Sequence, residues 1–175
     1  MNFNDLFEVQ AELDKRIIDE HNLHGHDLLH KKCVAMICEL YEAANEARFF
    51  KYWSKDQKPR KKRLKYPTMN EEDKEYYNPL LEEYVDTLHF ALSIGNDLGY
   101  THHEYNDPGH LDMNHSLLGL TQLITVLPYA NEKNMGLIFD YLINFGYQLG
   151  FTEKDVRDAY FEKNKTNHER QENGY

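Results

Sequence analysis

Two apolar segments of the chain each carry a pair of acidic residues that stand three positions apart. Glu39 and Glu42 form the first pair, in CELYE, and Glu83 and Asp86 form the second, in LLEEYVD. Residues at this spacing share one face of an α-helix, so four carboxylates can converge where two such helices meet. Converging carboxylates repel one another and resist desolvation, and a cation normally neutralises them. Because Mg²⁺ prefers oxygen ligands and substrate phosphate, the pattern predicts a Mg²⁺ site for phosphate chemistry.

The surroundings of both pairs favour a cleft over a solvated surface. Acidic pairs at this spacing are also common on exposed helix faces, and each pair alone indicates little. Here both lie among apolar residues, namely Val34, Ile37, Leu40 and Tyr41 for the first and Leu80, Leu81, Val85, Leu88 and Phe90 for the second. A carboxylate on such a helix more often points into a cleft. Glu46 and His89 continue the two acidic faces and are candidate partners of the carboxylates, although for His89 a buried, hydrogen-bonded role is favoured.

Apolar residues recur at helical spacing along most of the chain, which predicts an all-α, multi-helix bundle. The predicted helices run from Phe3 to about Glu20, from a cap at Asp27 to about Trp53, from Asn78 to near Gly99, over 115–128, over 134–150, and from Thr152 to Gln171. Asn78 followed by Pro79 suits a helix start, and Thr152 with Asp155 resembles a capping box. No β-alternation, Gly-rich phosphate loop or fixed-period repeat is present, so we expect no significant β-sheet and a single domain over residues 1–175.

Three polar stretches separate these helices. Residues 55–75 form a charged loop that begins with KDQKPRKKRLK, in which seven basic residues accompany one acid. We expect the acids at 71–73 to balance it locally, although the stretch also suits a nucleic-acid patch or a source of positive potential at a nucleotide entrance. Residues 100–112 are typical of a polar connector. HNLHGH carries three histidines without a Cys or carboxylate at zinc-like spacing, which predicts a polar loop.

The charge and the cysteine content indicate a cytoplasmic protein that does not bind nucleic-acid duplexes in general. The net charge is −10, from 20 Lys and Arg against 30 Asp and Glu, and such a surface repels a polyanion. Cys33 and Cys38 are the two cysteines, and both lie in one predicted helix, which suits a reducing compartment better than a disulfide framework. No apolar run reaches membrane-span length, and MNFNDLFEVQ lacks the order of a signal peptide. We therefore expect a soluble protein with no membrane partner.

The end of the second helix and the last helix carry further candidate ligand contacts. Trp53, the only tryptophan, follows Lys51 by two positions, and it is either part of the core or a surface on which a base stacks. Four polar residues of the tail can share one helical face: Lys163, Asn164, Asn167 and Arg170. Two asparagines within a helix cost helix propensity, which favours a functional reason for them. We expect residues 160–175 to form a tail that closes over the substrate.

Three segments of the chain together resemble the dimeric, all-α dUTPases of bacteria, phages and trypanosomatids. They are CELYEAANEARFFKYW, LLEEYVDTLHFALSIGNDLG and the tail YFEKNKTNHERQENGY. These enzymes belong to the all-α nucleoside triphosphate pyrophosphatase superfamily. The resemblance extends in order from QAELD to the C-terminal GY. The acidic pairs indicate only the superfamily, whereas the tail is more specific. Its matching residues are Tyr160, Lys163, Asn164, Asn167, Arg170, Gln171 and Tyr175.

The resemblance implies hydrolysis of dUTP, and of dUDP in many members, to dUMP by a homodimer. Two or three Mg²⁺ ions would be held by Glu39, Glu42, Glu83 and Asp86. The implied deoxynucleoside contacts are Gln10 and Asp14, although many members have Asn at the second position. The remaining implied substrate-binding residues are Trp53 as an aromatic wall for the base, Lys51, Tyr160, Lys163, Asn164, Asn167 and Arg170. The long basic loop and the variable segment 101–113 depart from the pattern and could alter the choice of a protein partner.

In the implied mechanism, a Mg²⁺-bound water loses a proton near neutral pH and attacks the phosphate, with Glu39 or Glu42 as the catalytic general base. Lys163 and Arg170 would stabilise the charge on the leaving oxygens.

Two alternatives stay open. Because Gln10 can present either a donor or an acceptor to a base, the first is a related dCTP or broad NTP pyrophosphatase. The second is a non-enzymatic protein-interaction module on the same fold.

Overall fold

The computed structural model describes residues 1–129 and 133–174, and six helices account for most of them. They are α1 (Leu6–Glu20), α2 (Leu29–Ala47), α3 (Pro79–Asp97), α4 (Met113–Val126), α5 (Lys133–Gln148) and α6 (Glu153–Glu172). The only strands in these ranges are two short ones, β1 (Arg63–Leu64) and β2 (Tyr76–Tyr77). The predicted all-α fold without a significant β-sheet is confirmed. Tyr175, which belongs to the tail pattern, lies outside the described residues.

The helices pack around the pair α2 and α3, which lie side by side. α1 and α6 pack on α3, while α4 packs on both α5 and α2. One hydrophobic cluster joins all six helices, and its fully buried side chains include Leu6, Met36, Leu40, Leu88, Leu92, Leu120, Phe145 and Tyr160. This packing brings the acidic faces of α2 and α3 together and closes α6 over one side of α3. No helix within the described part of the chain is long and apolar enough to cross a membrane.

Local capping interactions fix the starts of α3 and α6 as the sequence predicts. The Asn78 side chain accepts a hydrogen bond from the backbone N–H of Leu81 at 3.2 Å, and Pro79 occupies the first turn. Thr152 and Asp155 form a full capping box, in which each side chain accepts a hydrogen bond from the backbone N–H of the other. These caps orient the two helices that carry Glu83, Asp86 and the tail residues.

The end of α2 differs from the prediction. The helix ends at Ala47 rather than near Trp53, because Arg48 adopts a left-handed conformation with a φ of 65°. The Arg48 guanidinium donates from Nε and Nη2 to the backbone oxygen of Asp56, at 2.9 and 2.7 Å. These bonds to the next loop stabilise a conformation that a non-glycine residue rarely adopts. Trp53 therefore stands in a turn beyond the helix.

The charged loop folds back as a small hairpin against the helix bundle. β1 and β2 pair antiparallel, with Arg63 opposite Tyr77 and Leu64 opposite Tyr76. The Lys61 ammonium donates to the backbone oxygen of Leu149 at 2.7 Å, which attaches the loop to the end of α5. The loop is thus anchored at one edge of the bundle.

A buried acid of α2 balances the arginines of this loop, contrary to the expectation for residues 71–73. Glu46 is 8% exposed, and its carboxylate contacts Arg63 at 2.7 Å and Arg60 at 3.9 Å. Within the expected acidic run, Glu71 pairs instead with Lys74. The prediction that residues 71–73 balance the loop is wrong for its two arginines, because the hairpin carries Arg60 and Arg63 to the helix rather than to these acids.

The polar connector at 100–112 is attached to the segment before α1 and to α5 by hydrogen bonds. The backbone N–H of His103 donates to Asn4 Oδ1 at 2.8 Å, and the backbone N–H of Asn106 donates to Asp140 Oδ1 at 2.7 Å. The His103 ring also lies 3.0 Å from the Asp140 carboxylate, and both side chains are nearly buried. The connector is therefore an anchored part of the surface.

Candidate active site

The acidic faces of α2 and α3 meet, as the spacing of their carboxylates predicts. One carboxylate oxygen each from Glu39, Glu83 and Asp86 lie within 4.8 Å of one another, and all three side chains are half-buried. Glu42 is exposed and lies outside this close group, although its charge acts on both Glu39 and Glu83. We call Glu39, Glu83 and Asp86 the carboxylate cluster.

Burial and mutual repulsion make the negative charges of the cluster unfavourable. Desolvation, followed by the charges of Asp86 and Glu42, raises the pKa of Glu83 to about 7. Desolvation is also the main cause that raises the pKa of Glu39, where Asp86 and Glu42 add to it. For Asp86, desolvation raises the pKa although Lys163 opposes the shift. An oxygen-only group with these shifts has the chemistry of a Mg²⁺ site, because a divalent cation removes the repulsion.

Lys163 of α6 reaches the edge of the cluster. Its ammonium contacts Asp86 Oδ2 at 2.6 Å and Glu82 Oε1 at 3.0 Å, and its side chain is 14% exposed. Burial disfavours this charge, but the attraction and hydrogen bonds of Asp86 and Glu82 outweigh burial and raise the pKa of Lys163. Glu82 is not among the site residues predicted from the sequence. Its spacing of four residues from Asp86 places both carboxylates on one face of α3 and could have indicated it.

A buried polar network joins α1, α3 and α6 beside the cluster. Gln10 is 3% exposed, and its Oε1 accepts from His89 Nδ1 at 2.7 Å and from the Tyr160 hydroxyl at 2.9 Å. Gln10 Nε2 donates to Asp14 Oδ1 at 2.8 Å. The imidazole of His89 stacks on the Tyr160 ring with centroids 4.1 Å apart. Because an amide oxygen only accepts, these contacts fix the orientation of the Gln10 amide and place the proton of His89 on Nδ1.

The favoured, buried role of His89 agrees with this environment. Desolvation, together with the positive charge of Lys163, lowers the pKa of His89 to about 3, so the ring is neutral at physiological pH. Desolvation likewise raises the pKa of Asp14. Within the described residues, three buried atoms of this region make no hydrogen bond of good geometry: Asp14 Oδ2, His89 Nε2 and Asn164 Nδ2. Unsatisfied buried polar groups are costly, and a polar ligand is one way to satisfy them.

Two other predicted substrate-binding residues, Lys51 and Trp53, lie in the turn after α2. Trp53 is 66% exposed, and its ring packs edge-on against Tyr52 and Phe50. The Lys51 ammonium contacts Asn45 Oδ1 at 2.5 Å and lies over the Phe50 ring. These contacts hold Lys51 and Trp53 in the turn after α2, rather than in the carboxylate cluster.

Two tail residues lie further along α6. Arg170 is exposed and donates to Asn167 Oδ1 at 3.4 Å, and its charge also acts on Asp86.

Glu46, proposed from the sequence as a partner of the cluster, contacts Arg63 and Arg60 instead. The structure thus groups Lys163 with the cluster, groups Gln10, Asp14, His89 and Tyr160 in a separate network, and places Glu46 at the loop.

A cleft of ≈ 670 Å³ opens between the hairpin, α3 and α6, next to Lys163. Its lining is Lys65, Glu75, Tyr76, Tyr77, Asn78, Leu81, Glu82, Val85, Ala159, Glu162, Lys163, Thr166 and Arg170. Its size suits a small organic ligand. Lys163 and Glu82 therefore stand between the carboxylate cluster and an open space.

An all-α bundle with convergent carboxylates and an adjacent basic tail has the features of a metal-assisted nucleotide hydrolase. A protein-family model described as dUTPase matches residues 2–175. The chain therefore belongs to the all-α dUTPase family and is a dUTP diphosphatase. No curated protein sequence matches it at a significant level.

Proposed function

We propose that this chain hydrolyses dUTP, and also dUDP, to dUMP at the carboxylate cluster, with two or three Mg²⁺ ions as cofactors. Glu39, Glu83 and Asp86 would hold them together with Glu42, which is near enough for its charge to act on the cluster. The observation that carries the proposal is the approach of three carboxylate oxygens to within 4.8 Å of one another. The upward pKa shifts of these groups support it, because a bound cation would relieve the repulsion that causes part of them.

The residues in and around the cluster would have different roles in the reaction. Bound Mg²⁺ would supply a water of lowered pKa and neutralise phosphate charge. Glu42 lies outside the close group and is exposed, so of the two candidate bases it is the better placed to accept a proton from the attacking water. The cations of Lys163 and Arg170 would stabilise the negative charge that develops on the leaving pyrophosphate oxygens.

The fixed orientation of Gln10 supports selection of uracil. Its oxygen already accepts two hydrogen bonds, and one amide hydrogen goes to Asp14. The remaining amide hydrogen can be donated to O4 of uracil, whereas cytosine carries at this position an amino group, which is itself a donor. The unsatisfied atoms of Asp14 and Asn164 supply further polar contacts for a deoxynucleoside. This arrangement favours dUTP over dCTP.

Exposed apolar side chains on neighbouring helices support the proposal of a homodimer. Val34 and Tyr41 of α2 are 61% and 42% exposed, and Leu118 and Val126 of α4 are 62% and 41% exposed. The Tyr41 hydroxyl accepts a hydrogen bond from Thr121 of α4, so the two helices present these residues side by side. Such surfaces are typical of subunit contacts. Light scattering at micromolar concentration should give twice the chain mass, and a monomer would contradict the proposal.

Three further proposals concern the whole chain. One hydrophobic cluster that joins all six helices supports a single domain over residues 1–175. The free thiols of Cys33 and Cys38 suit a cytoplasmic location.

The tail from residue 160 would close over the nucleotide, since it carries Lys163 and Arg170 at the cleft. A non-hydrolysable dUTP analogue should then protect the last dozen residues from proteolysis, and unchanged cleavage would contradict closure.

A panel of deoxynucleotides tests the reaction and its selectivity. Each of dUTP, dUDP, dCTP, dTTP and dATP is incubated with Mg²⁺ or with excess EDTA, and the release of pyrophosphate or phosphate is measured. We expect turnover of dUTP and dUDP only, with Mg²⁺ only. Glu83→Gln, which keeps the side-chain shape and removes its charge, is the matched inactive control. Turnover that persists in EDTA, or dCTP turnover equal to that of dUTP, would contradict the proposal.

A further inference from the structure

We propose that Glu82 is a positioning residue. It holds the Lys163 ammonium beside the carboxylate cluster when a divalent cation binds Asp86 and weakens the contact between Asp86 and Lys163. The inference rests on the proposed function, since it takes the cluster to be the Mg²⁺ site. Glu82 is not a member of the close carboxylate group, and its contribution would be made through Lys163.

The geometry gives Lys163 two acceptors on one helix. Its ammonium lies 2.6 Å from Asp86 Oδ2 and 3.0 Å from Glu82 Oε1. Asp86 is 15% exposed and belongs to the cluster, whereas Glu82 is 40% exposed and lines the cleft. The same ammonium therefore bridges a candidate metal ligand and a carboxylate on the solvent side of the site.

A cation at the cluster changes the balance between these two acceptors. It attracts the Asp86 carboxylate and repels the Lys163 ammonium, so the shorter of the two contacts is weakened. Glu82 can keep the ammonium at the mouth of the cleft, where a phosphate group of the substrate would meet it. Without Glu82, the ammonium either stays on Asp86 and competes with the cation or is released into solvent, where its long side chain regains rotamer freedom.

Glu82 should consequently affect both cation affinity and substrate binding, and both effects should depend on Lys163. Calorimetric titration with Mn²⁺ is performed on the wild type, Glu82→Gln, Lys163→Met and the double variant. We expect Glu82→Gln to raise the Kd for Mn²⁺ about fivefold in the wild-type background and less than about twofold in the Lys163→Met background. In steady-state kinetics at saturating Mg²⁺, Glu82→Gln should raise the KM for dUTP more than it lowers kcat. Glu82→Asp, which keeps the charge, should return the KM for dUTP most of the way to the wild-type value.

Glu162 offers a matched control for the general effect of negative charge. It lines the same cleft one position before Lys163, and in the described ranges its carboxylate has no hydrogen bond or ion pair. Glu162→Gln should leave the Kd for Mn²⁺ within about twofold of the wild type. The inference is overturned if Glu162→Gln matches Glu82→Gln, or if Glu82→Gln has the same effect in both backgrounds. Absence of Mn²⁺ binding by the wild type would instead overturn the proposed metal site, so the two failures are distinguishable.

Discussion

Glu39 and Glu46 lie about two turns apart on the same helix, yet they have opposite electrostatic surroundings. Glu39 faces Glu83 and Asp86, and desolvation with their repulsion raises its pKa. Glu46 is more deeply buried, but Arg63 contacts its carboxylate at 2.7 Å. The bundle thus pairs the charge of Glu46 with an arginine, and it leaves Glu39 in a group that lacks enough positive charge. A carboxylate in the position of Glu39 is suited to binding a cation, whereas Glu46, paired with an arginine, attaches the loop to the helix.

The largest expected difference between the two acids is in catalysis. Glu39→Gln should lower kcat for dUTP about a thousandfold, because it removes one of the oxygen ligands that would hold Mg²⁺. The midpoint of thermal unfolding of the metal-free protein should not fall, since the substitution also removes a repelled charge. Pyrophosphate release and thermal denaturation in EDTA measure the two effects. A variant that keeps wild-type kcat would place the metal-binding chemistry elsewhere.

Glu46→Gln should have the reverse effect, on stability rather than on kcat. Loss of the carboxylate leaves the Arg63 guanidinium without its charged partner, and we expect a decrease of about 1 kcal/mol in the free energy of unfolding because Arg63 is partly exposed. The value of kcat should stay within about twofold of the wild type. Urea denaturation is the measurement, and Glu71→Gln, in an exposed pair with Lys74, is the control that should change neither quantity. A large loss of kcat in Glu46→Gln would mean that the two acids are not separate in function.

The smallest expected effect is a pH dependence that belongs to Glu83. Its pKa rises from 4.5 in the unfolded chain to about 7 in the fold, so the folded protein binds more protons between these values. The metal-free fold should therefore lose the favourable contribution of protonated Glu83 as the pH rises through this range. Glu83 is only partly buried, and after discounting for solvent screening we expect the stability difference between Glu83→Gln and wild type to grow by about 1 kcal/mol from pH 5 to pH 8.

Urea denaturation in EDTA at the two pH values measures this difference. His89 acts in the opposite direction, because its pKa is lowered, but it is present in both proteins and its contribution cancels. Saturating Mg²⁺ should selectively stabilise the wild type at pH 8, since the cation replaces the proton. A difference that does not vary with pH would contradict the electrostatic description of the cluster.

The features that the sequence predicts well are those set by neighbouring residues. Asn78 with Pro79, and Thr152 with Asp155, act within one helical turn, so the starts of α3 and α6 could be predicted from their caps. The convergence of Glu39 with Glu83 and Asp86 followed from two helical faces that each needed an apolar partner.

The features that the sequence did not predict depend on contacts between distant segments. α2 ends at Ala47 because Arg48 donates to the backbone of Asp56, and no residue type at the helix end indicates that bond. Glu46 shares the face of Glu42, but the hairpin that brings Arg63 to it depends on how the whole loop folds back. The sequence predicts Trp53 at the end of a helix, whereas its position in an exposed turn follows from the same early helix end.

The binding of Mn²⁺ followed by electron paramagnetic resonance tests the central claim most directly, because the signal of the free ion reports how many ions each chain binds. At pH 7.5, with a non-hydrolysable dUTP analogue, the wild type should bind two or three ions per chain. Glu83→Gln should lose them, and Glu46→Gln should retain them. Equal binding by the wild type and Glu83→Gln would show that the cluster of Glu39, Glu83 and Asp86 is not the cation site.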